Sequence, residues 1–146
     1  MHTPQRILIL NGPNLNLTGI REPEVYGNTT FEAFLAQLKT KYTTFDIQYF
    51  QSNHEGDLID KLHEVGFSYA YVLLNAGGYT HTSVALRDAI AAISTPVIEI
   101  HITNPSTREE FRHISLISGV AHGVISGFGL SSYELALEGI QLKSRA

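Results

Sequence analysis

The sequence contains no cysteine and no tryptophan, and a single methionine. Without cysteine there is no disulfide, no thiolate metal site and no cysteine nucleophile, a composition that suits a reducing compartment. Positive charge is in short supply: 10 Lys and Arg against 14 Asp and Glu leave a formal net charge of -4. That balance argues against a protein that coats a polyanion, so nucleic acid is not expected as a partner. Long apolar runs are missing too. The N-terminal stretch Ile7 to Leu10 ends at Asn11, too short for a membrane span or a signal-peptide core, and a soluble, cytoplasmic protein with no membrane partner is the expectation. The 7 histidines include no HExxH motif and no pair four residues apart, so no metal site is expected. There is no G-x-S-x-G elbow, no P-loop and no G-x-G-x-x-G fingerprint; Gly127 and Gly129 read as turn residues.

What is present has the dimensions of one domain, expected to span residues 1–146, with 43% apolar residues to build a core. Arg6 to Leu10 reads as a strand buried on both faces. Asn11 to Asn28 has neither helical nor strand period, and loops of that length are uncommon unless functional or disordered. A helix is expected next, opened by a capping box of Thr29 and Glu32 and carrying the stripe Phe31, Phe34, Leu35, Leu38, Tyr42. Asp46 to Gln51 reads as a strand. Ser52 with Glu55 is expected to cap a helix whose stripe is Leu58, Ile59, Leu62 and Val65. A third strand over Tyr69 to Asn75 leads through Ala76 and two glycines to a helix expected over His81 to Ser94, and Pro96 closes that connection. Val97 to Ile102 is the fourth strand, followed by a helical turn capped by Ser106 and Glu109; Gly123 to Gly127 is the fifth, and Leu130, Tyr133, Leu137 and Ile140 mark a last helix.

Alternation of this kind predicts an α/β fold: a doubly wound five-stranded parallel sheet in the flavodoxin-like order 2-1-3-4-5. Ligands of such sheets bind beyond the carboxyl ends of the strands, near the switch between strands one and three. One cleft should therefore collect Asn14, Asn16, Arg21, Glu22 and Tyr26 from the first loop, Asn75 and His81 after the third strand, and Glu99, His101, Arg108 and Arg112 around the end of the fourth. Arginine forks suit carboxylates or phosphates, so a small anion is the natural ligand of an otherwise acidic chain.

Within that cleft, side-chain alternation puts Glu99 and His101 on one face of their strand. The pair is either an acid–base device or a buried ion pair with a structural role. A tyrosine base is costly: with its ordinary pKa near 10 it is about one part in a thousand ionised at pH 7, roughly 4 kcal/mol of penalty unless cations stabilise the phenolate. Arg21 stands five residues before Tyr26, but spacing alone favours a packing role for Tyr26.

Five segments go further. NGPNLNLTGIREPEVYG, QSNHEGDLID, NAGGYTHTSVALRDA, IEIHITNPSTREEFR and GVISGFGLSSYELAL together resemble the type II 3-dehydroquinate dehydratases, in order and over about Ile7 to Leu137. The resemblance implies dehydration of 3-dehydroquinate to 3-dehydroshikimate by anti elimination through an enol or enolate, with no cofactor and no metal, in either aromatic biosynthesis or quinate breakdown. It implies Tyr26 as base, His101 as acid, Arg21 and Asn14 stabilising developing charge, and Glu99 orienting His101. Asn75, His81, the backbone of Ile102 and Thr103, and Arg112 would bind substrate, with Arg108 in a supporting electrostatic role. The loop around Gly19 to Gly27 would act as a lid. Asp88 stands seven residues after His81; on one helix the two would be about 10 Å apart along the axis, too far for one small ligand to touch both. The resemblance resolves this by assembly into trimers, and four trimers into a dodecamer, in which Asp88 enters a neighbour's site. Thr18, Gly78 and Thr103 depart from the usual family residues at their positions. A flavodoxin-like anion-binding or regulatory domain without the chemistry is the alternative.

Overall fold

The computed structural model describes residues 3–26 and 28–144, without the side chains of Val25 and Tyr26. Five strands, β1 (Gln5–Asn11), β2 (Phe45–Gln51), β3 (Tyr71–Asn75), β4 (Val97–His101) and β5 (Gly123–Ser126), form one parallel sheet in the order β2-β1-β3-β4-β5. This is the expected flavodoxin-like order. β1 lies inside the sheet, and Ile7 to Asn11 are buried on both faces. Ile7 and Ile9 join Leu73, Ile98 and Ile100 in a core under α2 (Phe31–Lys41) and α5 (Ser131–Ser144). Leu8 and Leu10 join Val72, Leu74 and Val97 in the opposite core, under α3 (Glu55–Val65) and α4 (Val84–Ala92). Among the described residues no helix is long and apolar enough to cross a membrane.

Helix starts differ from expectation in instructive ways. Thr30, not Thr29, caps α2: its hydroxyl accepts from the Ala33 N–H at 3.2 Å. Its backbone is extended next to the first helical residue, as a cap requires. Ser52 does not cap α3. The cap position is His54, whose side chain makes no capping bond; Ser52 Oγ instead accepts from the His54 N–H at 3.0 Å and donates to Asp57 at 2.7 Å, bracing the helix entry from outside.

The helix expected over His81 to Ser94 is two pieces. A tight 3-10 turn, Gly77–His81, ends at the Thr82–Ser83 junction, where Ser83 accepts from the Leu86 N–H at 2.8 Å and starts α4. The turn expected from a Ser106–Glu109 cap is also tighter: 3-10 turns at Pro105–Thr107 and Glu110–Arg112, the first capped by Asn104 accepting from Ser106 N–H. Proline at the start of the first turn and an Asx-type bond favour this short geometry over a full α-turn. The first loop, read as aperiodic, contains a 3-10 turn at Leu15–Leu17 and a short helix α1 (Pro23–Tyr26).

Candidate active site

The carboxyl ends of β1 and β3 lie side by side, Asn11 paired with Asn75. Where the two chains leave the sheet they almost touch. A side-chain carbon at Gly12 would come within 2.6 Å of the Ala76 carbonyl oxygen, and Gly77, at φ +60°, faces the Pro13 carbonyl. Only glycine permits the first approach, and the Gly12 N–H donates to the Asn75 carbonyl at 2.8 Å to fix it. The Asn-Gly-Pro and Ala-Gly-Gly segments thus bring the first loop over the end of β3.

Between them lies a cleft of about 120 Å³, lined by residues that include Asn14, Arg21, Asn75, His81, His101, Ile102, Thr103, Arg108 and Arg112. The expected site residues from three distant segments therefore meet. Four do not line it, and one of them, the buried Glu99, reaches it only through His101. Asn16 faces a neighbouring groove between the first loop and α2. Asp88 is exposed on α4 and not part of the cleft lining, and His81 ends a 3-10 turn instead of sharing a helix stripe with it. Glu22 is also outside the lining and pairs with Arg21 at 3.5 Å. The side chain of Tyr26, and Gly27 in the expected lid, lie outside the described residues.

His101 stands at the end of β4 with its side chain mostly covered, and Nε2 donates to Glu99 Oε2 at 2.5 Å. Nε2 being committed to the carboxylate, Nδ1 is the ring nitrogen left for the cleft. Glu99 is 1% exposed, a burial that needs compensation. Ser118 Oγ donates to Oε1 at 2.6 Å, and Ser115 Oγ lies 3.2 and 3.0 Å from the two oxygens. Burial pushes this carboxyl up, but the hydrogen bonds from His101 and Ser118, the nearby imidazole charge and the Ser115 bond outweigh it and hold the group below the ordinary carboxylate range. These two serines were not singled out in the sequence. They lie 16 and 19 residues beyond Glu99, and no local pattern announces such a contact.

The other cleft residues are also held in place. His81 Nδ1 donates to the Ile114 carbonyl at 2.8 Å, leaving Nε2 for the cleft. Asn75 is nearly buried: its amide donates to the Tyr133 hydroxyl at 3.0 Å and its oxygen accepts from the Gly77 N–H at 3.2 Å. Tyr133 in turn donates to Asn11 Oδ1 at 2.8 Å, and complete burial raises its pKa. Arg112 is held by both oxygens of Glu109 at 3.2 and 3.1 Å, and Arg108 reaches the Thr103 hydroxyl at 3.5 Å. Asn14 adopts left-handed backbone geometry, φ 71°, which asparagine tolerates better than most residues; its N–H donates to Asn53 Oδ1 at 3.0 Å. Of the unusual positions, Thr18 is buried and donates to the Leu15 carbonyl at 2.7 Å, while a side-chain carbon at Gly78 would meet nothing within 4 Å. Among the described residues no three His, Cys, Asp or Glu side chains gather as a metal would need.

A flavodoxin-like sheet whose strand ends frame a polar cleft, with a buried carboxylate fixing an imidazole at its edge, defines a small-molecule enzyme of the doubly wound α/β class. Comparison with known proteins is specific. Residues 5–141 match the model of the family described as dehydroquinase class II, and the chain belongs to that family. It is 55% identical over 136 residues to a 3-dehydroquinate dehydratase of Exiguobacterium sp., covering 92% of this chain and 93% of that one. With a 3-dehydroquinate dehydratase of Bacillus licheniformis the identity is 56% over 134 residues, 90% of this chain and 92% of the other. The crystal structure of type II dehydroquinase from Butyrivibrio crossotus superposes with a TM-score of 0.91 at 42% identity, covering 96% of this chain and 99% of that one.

Proposed function

We propose that this enzyme dehydrates 3-dehydroquinate to 3-dehydroshikimate by anti elimination, with Tyr26 as base and His101 as acid. The observation that carries the reading is His101 at the cleft edge, its Nε2 held by the buried carboxylate of Glu99, in a chain of the dehydroquinase class II family. Tyr26, as phenolate, takes a proton from the carbon next to the ketone. The resulting enolate re-forms the ketone as the hydroxyl on the far side leaves, and His101 gives that hydroxyl its proton so that water departs. Ionising the tyrosine at pH 7 costs about 4 kcal/mol, and Arg21, which lines the same cleft, offsets part of it. Asn14 stabilises the enolate through a water.

Asn75, His81, the backbone of Ile102 and Thr103, and Arg112 hold the hydroxyls and carboxylate of the substrate, and Arg108 adds positive potential beside Thr103. The chain acts as one domain in a homo-oligomer, a dodecamer of four trimers in which Asp88, exposed on α4, completes a neighbouring site. The enzyme acts in the cytoplasm.

The product is a conjugated enone, so mixing enzyme with 3-dehydroquinate produces a new ultraviolet absorbance. Tyr26→Phe and His101→Ala each lower turnover by at least about 10³-fold while sedimentation shows assembly unchanged. Normal turnover in either variant refutes the assigned roles. No absorbance change with the wild-type protein would leave an arginine-lined anion-binding domain as the reading.

A further inference from the structure

The hydrogen-bond network of His101 does not stop at Glu99. The carboxylate of Glu99 is gripped by the turn that follows the substrate-binding arginine: Ser118 Oγ donates to Oε1 at 2.6 Å and Ser115 Oγ lies within 3.2 Å of both oxygens. Ser115 is itself anchored, because its hydroxyl oxygen accepts from the N–H groups of Ile117 at 3.2 Å and Ser118 at 3.1 Å. With its two acceptor sites occupied, its single proton is left for Glu99. The turn is pinned from below by Ile117, which is fully buried in the α3/α4 core. From the side, Arg87 of α4 donates to the Leu116 carbonyl at 2.7 Å, and the Leu116 N–H donates to the Thr80 carbonyl at 2.8 Å.

We propose that Ser115 and Ser118 are positioning residues of the reaction, which lock the Glu99 carboxylate against Nε2 of His101 and thereby aim Nδ1 into the cleft. The proposal rests on the assignment of His101 as the acid. Its physical basis is that a buried carboxylate with one partner can rotate and can take up a proton. One with three donors is held in a single rotamer, and each donor favours the ionised form. Charged and titratable groups around it are few. His101 comes from its own strand, His81 from the 3-10 turn after β3, and Arg112 and His113 from the segment entering the serine turn. Arg87 braces the backbone from α4. Each of the four besides His101 has a hydrogen-bond partner other than Glu99: Ile114, Glu109, Arg108 and Leu116 respectively for His81, Arg112, His113 and Arg87.

Ser118→Ala in the intact enzyme is the test. Loss of one hydrogen bond to a buried charge predicts a fall in kcat of about 10- to 100-fold, with KM within about threefold because no substrate contact is removed. The acidic limb of the pH–rate profile moves to higher pH, since the carboxyl is protonated more easily. Ser118→Thr, which keeps the hydroxyl, restores most of kcat. A readout independent of turnover is the carbon-13 titration of the Glu99 side-chain carboxyl, which shifts upward in Ser118→Ala. Should that variant fail to fold, Ser118→Cys, a slightly larger side chain with a much weaker donor, is measured in its place. An unchanged Glu99 titration in a folded variant overturns the proposal, whether or not kcat falls. A shifted titration in a protein whose wild type never dehydrates 3-dehydroquinate would sustain the clamp and sink the assigned reaction instead.

Discussion

On one side of the cleft, His101 rides on an interior strand of a five-stranded sheet, flanked by the fully buried Ile100 and by Glu99, which is itself held by three side chains. On the other side, Asn14 and Arg21 ride on a loop held mostly by local bonds, Leu17 to Asn14, Thr18 to Leu15, Ile20 and Arg21 to Leu17, with Asn14 also tied to Asn53. Both non-glycine residues with positive φ among those described, Asn14 and Glu22, lie in this loop. The contrast teaches where the fold spends its order. The wall is fixed by the core along its whole length and costs global stability to disturb; the loop is anchored at Leu15, Thr18 and the Asn14–Asn53 bond, and between Leu17 and Arg21 it is held by short turns.

Substitutions can break or sharpen that contrast, and the largest effect falls on the wall. Ile100→Ala, at 0% exposure, destabilises by about 2–5 kcal/mol, whereas Ile20→Ala in the loop, at 72% exposure, changes stability by less than about 0.5 kcal/mol. Urea unfolding of the two variants measures the difference, and equal midpoints would erase the distinction. Next comes the link between the two sides. Tyr133→Phe strips Asn11 of its donor and Asn75 of its acceptor in a buried site, costing about 1–3 kcal/mol and raising KM as Asn75 loosens; unfolding and steady-state kinetics report both.

Acid provides a further probe of the wall. The Glu99 carboxyl is held below its ordinary range, so its contribution to stability is fully present above the ordinary carboxylate pKa and is lost as pH falls through the lower, folded-state value. Glu99→Gln should flatten that part of the stability–pH curve, and a curve of unchanged slope would show the pair contributes nothing there. Thr30→Ala, at the exit of the loop, removes one capping bond for about 1 kcal/mol. Smallest is Gly78→Ala, where the added carbon meets nothing within 4 Å. It should leave melting temperature within a few degrees and activity near wild type, and a large loss of either would reveal a role for the bare backbone.

The sheet was legible because its strands are apolar runs whose period and spacing leave one economical order, and Glu99 with His101 was legible because strand alternation is local. Most cleft residues followed from the topology, which sends three loops to one end. The details that escaped are those that depend on contacts distant in sequence or on choices between like residues. Thr29 and Thr30 have the same capping chemistry, and only where the helix begins selects between them. Ser52 looks like a cap but finds a better partner in Asp57. The break at Ser83 is disguised by apolar residues that continue at helical spacing. Ser115 and Ser118 meet Glu99 only after the chain has turned beyond Arg112, so no window of sequence contains the contact. The proposal of Tyr26 as base came through resemblance and not through spacing.

The division of labour across the cleft is tested most directly by following hydrogen exchange at the carbon next to the ketone of 3-dehydroquinate, in deuterium oxide, alongside enone formation. With the base on the loop and the acid on the wall, His101→Ala should still exchange that hydrogen while forming almost no enone, and Tyr26→Phe should do neither. Exchange that survives in Tyr26→Phe but vanishes in His101→Ala would reverse the two roles and contradict the account.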